Sequence, residues 1–129
     1  MKDSKSYQQA KADLAFSMFI RIRDANEPCI SCGRYFPFDE IECGHFRTKA
    51  AAPSLRYDED NAHGQCRDCN SGFKSGNRLA YRESLIAKIG LDRVEVLESS
   101  NKPVRQTAAD VFEIRKHYEQ IVKNMEPWE

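Results

Sequence analysis

Cys29-Ile30-Ser31-Cys32 and Cys66-Arg67-Asp68-Cys69-Asn70 enclose Cys43-Gly44-His45-Phe46 and Asn61-Ala62-His63-Gly64-Gln65, and this block sets the architecture of the chain. Each Cys-x-x-Cys turn presents two sulfurs on one side, so two turns at this separation can supply the four thiolates of a tetrahedral zinc site. Zinc bound to Cys29, Cys32, Cys66 and Cys69 is therefore expected, clamping the segment between the turns. Two unrelated thiol pairs are the plain alternative. A redox pair is weaker still, because neither pair sits in a thioredoxin-like strand–helix context. The chain has five cysteines, and Cys43 is left over. It reads as a small residue packed near a strand.

Outward from the cysteines, the pattern predicts an α+β fold: a short hairpin with flanking helices. Residues 41–46 and 62–66 read as strands, and Pro53 with Asp58-Glu59-Asp60 makes the segment between them a loop. Upstream, residues 7–23 read as a helix whose apolar stripe is Tyr7, Ala10, Leu14, Met18 and Ile22, ended by Asn26-Glu27-Pro28. Downstream, Ser71-Gly72 and Ser75-Gly76 weaken any helix directly after Cys69. A firmer helix covers about 77–89, with Leu79, Leu85, Ile86 and Ile89 apolar and Gly90 as its stop. A short helix over 91–98 follows, then a break at Asn101-Lys102-Pro103. The last helix starts near Thr107, with Asp110 completing a capping pair and Val111, Ile114, Tyr118, Ile121, Val122 and Met125 on its apolar face. The organisation is an N-terminal helix (1–28), a zinc-braced core (29–90) and a helical extension (91–129), together one domain.

No apolar run approaches the roughly 18 residues a membrane span needs, so no membrane partner is expected. Met1-Lys2-Asp3-Ser4 shows no signal-peptide character. A reducing cytoplasm is expected, where paired cysteines more often hold metal than form disulfides. The net charge of zero does not advertise a nucleic-acid partner. Its distribution says more: residues 62–93 carry six basic and three acidic side chains, against five and seven over 94–129. That excess marks either a DNA-facing region or an ordinary solvated helix face.

The residues between the knuckles point to phosphodiester hydrolysis, which needs an activated water and neutralised phosphate charge. One histidine can deprotonate the water, and one divalent ion can polarise the phosphate and stabilise the departing oxygen. His45, Asn61 and Asn70 are the candidate catalytic residues. Each has a plain alternative: a satisfied core histidine, a turn residue and a helix cap.

The order Cys-x-x-Cys, His45, Asn61, Cys66-x-x-Cys69-Asn70 resembles the HNH nucleases. Gly44-His45-Phe46-Arg47, Ala50-Ala51-Ala52-Pro53, Leu55-Arg56, Asn61-Ala62-His63-Gly64-Gln65-Cys66 and Lys74-Ser75-Gly76-Asn77 are similar to the phage lambda NinG family, also called Rap. That resemblance implies a zinc-braced, treble-clef-like ββα-metal core. It also implies a structure-specific DNA endonuclease acting on branched recombination intermediates such as Holliday junctions. It assigns His45 as general base, Asn61 as the residue that bonds backbone across the loop, and Asn70 as a metal ligand, with Mg²⁺ or Mn²⁺ as the catalytic ion. A non-catalytic zinc-braced DNA-binding module and a less selective HNH nickase are the competing readings.

In many HNH enzymes an aspartate ligand precedes the first histidine, where this chain has Gly44. His63, sharing strand parity with Asn61 and Gln65, is the expected substitute ligand beside Asn70; a structural role is its alternative. Members of the family often carry a longer basic, cysteine-bearing N-terminal region. These 129 residues include none, so DNA contacts are expected on other surfaces. Arg47, Lys49, Arg56, Lys74, Arg78 and Arg82 are the candidate phosphate contacts, which position a backbone without reading sequence. Symmetric cutting of a junction needs two active sites, hence a homodimer, with the amphipathic first and last helices either at its interface or covering the core. If phage-encoded, the protein would act in the bacterial host cytoplasm.

Overall fold

The structure, a computed structural model, describes residues 4–125; residues 1–3, part of the signal-peptide reading, and the end of the 91–129 segment lie outside the described residues. Helix α1 (Lys5–Arg23) begins two residues before its expected start because the Ser4 hydroxyl accepts a hydrogen bond from the Tyr7 N–H at 3.1 Å. Strands β1 (Ile41–His45) and β2 (Ala62–Cys66) pair antiparallel, with Ile41 opposite Cys66 and His45 opposite Ala62. Helices α2 (Arg67–Asn70), α3 (Arg78–Ile89), α4 (Leu91–Ser99) and α5 (Ala108–Met125) follow. The α+β class expected from the sequence is the one observed. Between the strands the chain is irregular apart from single turns at Pro53–Leu55 and Glu59–Asn61. Thr107 and Asp110 cap α5 reciprocally: each backbone N–H donates to the other's side chain, at 2.9 and 3.1 Å.

The ribbon is sandwiched between two helix pairs. Strand alternation puts Cys43, His45 and Ala62 on one face and Gly44, His63 and Gln65 on the other. On the first face lie α1 and α5, which pack along each other. Phe16, Ile20, Ala62 and Tyr118 form this core, with Phe16 and Tyr118 edge to face at 5.0 Å. On the second face lie α3 and α4, whose Tyr81, Leu85, Val94 and Leu97 pack with Ile30, Phe46 and Leu55. The Tyr81 hydroxyl donates to the Gly44 carbonyl at 2.7 Å and ties α3 to β1.

Two helix faces differ from expectation. The buried face of α1 is Gln8, Ala12, Ala15, Phe16, Ile20 and Ile22, so of the expected stripe only Ile22 is buried. Ala10, Asp13, Leu14 and Ser17 instead line a cleft beside the ribbon. In α3, Tyr81 takes the core place expected for Leu79, which is 82% exposed. The faces of α1 and α5 that meet each other cover the core, while Leu14 of the expected α1 stripe stays exposed.

Candidate active site and metal centre

The sulfurs of Cys29, Cys32, Cys66 and Cys69 all lie within 4.8 Å of one another. Four sulfurs about 2.3 Å from one zinc stand about 3.8 Å apart in a tetrahedron, and Cys32 and Cys66 stand 3.9 Å apart. The first knuckle hydrogen-bonds onto β2 through Ile30 N–H to Gly64 O, and the second is the β2–α2 junction itself. Burial resists ionisation of Cys29, but N–H donation from Cys66, Cys32 and Ser31 outweighs it and lowers its pKa. Burial, with the Cys69 and Cys29 sulfurs beside it, pushes Cys66 up to about 12. Four crowded thiolates need a counter-charge, and a structural metal such as zinc fits this donor set. Cys43 stands apart from it, with burial pushing its thiol up to about 12.

Beside the ribbon opens a cleft of about 600 Å³, walled by Asp13 and Ser17 of α1, Cys43 and His45 of β1, Lys49 and Arg56 of the loop, and Asn70 of α2. His45 and Asn70 thus face one space. His45 Nε2 lies 2.9 Å from the Arg56 carbonyl oxygen. That oxygen can only accept, so Nε2 carries the proton and Nδ1 keeps a free lone pair. Burial holds the His45 pKa below the ordinary histidine value, with Lys49 adding to the shift and the Arg56 carbonyl opposing it. The ring is therefore a neutral base near pH 7.

Asn61 is fully buried and fastens the backbone that carries this site. Its Oδ1 accepts from Arg47 N–H at 2.9 Å, and its Nδ2 donates to the carbonyls of Arg47 and Leu55 at 3.0 and 3.2 Å. Those two residues flank His45 and Arg56. Asn70 donates through Nδ2 to Glu42 Oε1 at 2.8 Å, so Oδ1 is the atom it can offer to the cleft.

Gly44 is explained by its neighbour. A Cβ there would stand 2.0 Å from Gln65 Oε1. Gln65 is fixed by Nε2 donating to Ser31 Oγ at 2.9 Å and Gly76 O at 2.7 Å. Its Oε1 is buried with no hydrogen-bond donor and abuts the Gly44 Cα–H, a weak donor. No side chain, aspartate included, fits at position 44.

His63 does not join Asn70, contrary to the ligand pairing expected above. It lies on the opposite ribbon face from His45, 2% exposed. Its Nε2 faces the Asp60 carbonyl at 2.9 Å, and its Nδ1 faces Lys88 Nζ at 3.0 Å and Arg23 Nη2 at 3.1 Å. Burial, Lys88 and Arg23 push its pKa down to about 4. Both nitrogens are engaged, and two cations stand where a metal would.

The expected phosphate contacts divide. Arg47 Nη1 donates to the carbonyls of Leu97, Glu98 and Ser100, capping the end of α4. Arg82 pairs with Glu98 at 2.6 Å. Arg56 forks onto Asp13 at 2.9 and 2.6 Å, and Lys49 approaches the same carboxylate at 3.4 Å. Two cations and one carboxylate leave that cleft wall with one net positive charge. Lys74 and Arg78 are exposed and pair with no acidic side chain among the described residues. Asp13, held by Arg56 and the Tyr57 hydroxyl (2.8 Å), was missed from sequence, as was Glu42. Asp13 and Ser17, one turn apart on α1 beside Ala10 and Leu14, were the available signal for Asp13. Glu42 had none, since its partners come from α2 and the residue that follows it.

A family model described as bacteriophage lambda NinG protein matches residues 1–129. The chain is 44% identical to "Protein ninG" of Salmonella phage P22 over 121 residues, covering 94% of this chain and 59% of that protein. It is 42% identical to "Protein ninG" of Escherichia phage lambda over the same length, covering 58% of it. The chain thus spans about three-fifths of the length of the curated relatives it matches. No solved structure matches it.

Proposed function

The chain belongs to the bacteriophage lambda NinG family, and from that premise we propose that it is a metal-dependent endonuclease for branched DNA, built on an HNH-type ββα-metal core. The observation that carries this reading is the pairing of His45, fixed in the tautomer that leaves Nδ1 free, with Asn70 across one cleft. The four-way junction is the preferred substrate class.

In this reading His45 Nδ1 takes a proton from water as it attacks phosphorus, and the bond to the departing oxygen breaks. Arg56 and Lys49, steadied by Asp13, set positive charge beside the phosphate. Asn61 fixes the backbone around His45. A divalent ion such as Mg²⁺ or Mn²⁺ polarises the phosphate and stabilises the departing oxygen when bound. Asn70 Oδ1 is the protein oxygen offered to it. Mg²⁺ is commonly held by one or two carboxylates with substrate phosphate and water, and Asp13, shared with Arg56, is the carboxylate that lines this cleft. The cysteines, the one group of metal ligands found among the described residues, serve zinc and structure. Two copies acting together would give paired cuts, in the cytoplasm of a bacterial host. No described helix is long and apolar enough to cross a membrane.

The test is incubation with a labelled four-way junction and a matched duplex, with and without Mg²⁺ or Mn²⁺. Junction nicking is expected, lost in His45→Ala with zinc content kept. Binding without cutting under every ion tested would leave a DNA-binding module. Equal cutting of the duplex would leave an unselective nickase.

A further inference from the structure

We infer that Phe73 is a stacking wedge for an exposed base at the branch point, carried on a braced loop beside the cleft; this rests on the branched-DNA reading above. Phe73 is 94% exposed, more than any other large apolar side chain among the described residues, and belongs to none of the core clusters. Such a ring does nothing for folding.

The loop that carries it (71–77) is nonetheless firmly tied. Lys74 N–H donates to Asp68 O at 2.9 Å, Asn77 N–H to Lys74 O at 3.0 Å and Gly76 N–H to Cys69 O. Gly76 O accepts from Gln65, Asn77 O from Ser31 Oγ at 3.3 Å, and Asn77 Nδ2 bonds Cys69 Sγ at 3.4 Å. Ser75 and Asn77 are held at φ of 46° and 42°, the left-handed region that non-glycine residues enter at a cost. The fold thus anchors a strained loop to the metal knuckle while leaving an aromatic ring at its tip in water.

Charge identifies the partner. Lys74 and Arg78, the two candidate phosphate contacts with no acidic partner among the described residues, bracket the same loop. Phe73 follows Asn70 by three residues, so their Cα atoms are at most about 11 Å apart. A phosphate chain held at Asn70 can therefore place a neighbouring base at Phe73. Stacking on an aromatic ring tolerates every base, which suits selection by shape. Base pairs inside an intact duplex are covered on both faces, whereas a four-way junction in its open, unstacked form and a splayed duplex end their stacks at the branch and offer a free one. Phe73 would then favour branched substrates in particular.

The experiment measures binding in a His45→Ala background, which keeps DNA uncut, to a four-way junction, a splayed duplex and a hairpin-capped duplex. The first two carry 2-aminopurine at the branch. Phe73→Ala is expected to weaken junction and splayed-duplex binding about 5- to 150-fold and to abolish the fluorescence change, with capped-duplex binding, circular dichroism and zinc content kept. Phe73→Trp should retain binding and signal; Phe73→Leu should behave as Phe73→Ala. Unchanged junction binding by Phe73→Ala, or full rescue by Phe73→Leu, would overturn the inference. So would a dimer that Phe73→Ala dissociates with the fluorescence signal intact, which would make Phe73 a contact between copies. Phe73-dependent stacking by a protein that, with His45 present, never cuts would sink the nuclease reading and leave this one standing. No binding to either branched DNA would sink both.

Discussion

At position 44 the absence of a side chain is a packing requirement set by Gln65, whose carbonyl oxygen occupies the space a Cβ would need. Gly44→Ala is expected to cost about 1–3 kcal/mol, the usual range for overpacking a filled interior. Urea denaturation checks this, and a double-mutant cycle with Gln65→Ala should recover part of the loss, since removing the amide relieves the Oε1 and Cδ contacts and leaves the Gln65 Cβ at 2.8 Å. The neighbouring His45 yields a pH prediction. A general base works when neutral, hence above its pKa, and burial holds this one below the ordinary value of about 6.5. The acid limb of kcat/KM for junction cleavage should therefore fall below pH ~6.5. A limb at or above that value would mean the base is another group. The residues themselves were legible at these positions. Why 44 must be glycine was not, because Gln65 is aimed there by Ser31 and Gly76, distant in sequence.

Among the secondary-structure elements, chemically alike cations do different work. Arg47 closes the carbonyl end of α4, so Arg47→Ala should destabilise the protein by about 1.5–3 kcal/mol in thermal or urea unfolding. Arg78 has no such partner, so Arg78→Ala should leave stability alone. It should reduce the slope of log K against log salt for junction binding by about 0.9. An unchanged slope in Arg78→Ala would remove it from the DNA surface. No sequence pattern separates these arginines, because their partners lie on other elements. The hairpin and the ends of α3, α4 and α5 were legible, since Gly90, Thr107 and Asp110 act locally. The inward face of α1 was not. Its buried side mixes Phe16, Ile20 and Ile22 with Gln8, Ala12 and Ala15, which carry weak hydrophobic signals, while Leu14 faces the cleft.

Across the whole molecule, a metal at the four sulfurs would join the ribbon, the first knuckle and α2, with one core on each side of that ribbon. A structural zinc contributes about 10–16 kcal/mol of apparent binding energy, against about 5–15 kcal/mol of net stability for a typical domain. Cys66→Ser should therefore release zinc and unfold the chain, seen together by metal analysis and circular dichroism. A folded, metal-free variant would show that the sulfurs are not the keystone. This assembly was legible from cysteine spacing alone. The closure of α1 onto α5 was not, because it pairs the two ends of the described chain through faces that read as independent stripes. That closure has a consequence for biosynthesis. At roughly 5–20 residues per second, α1 leaves the ribosome several seconds before α5 exists. Through that interval the nascent protein carries the α5-facing side of its first core uncovered, Phe16 among it, a half-built form open to chaperones.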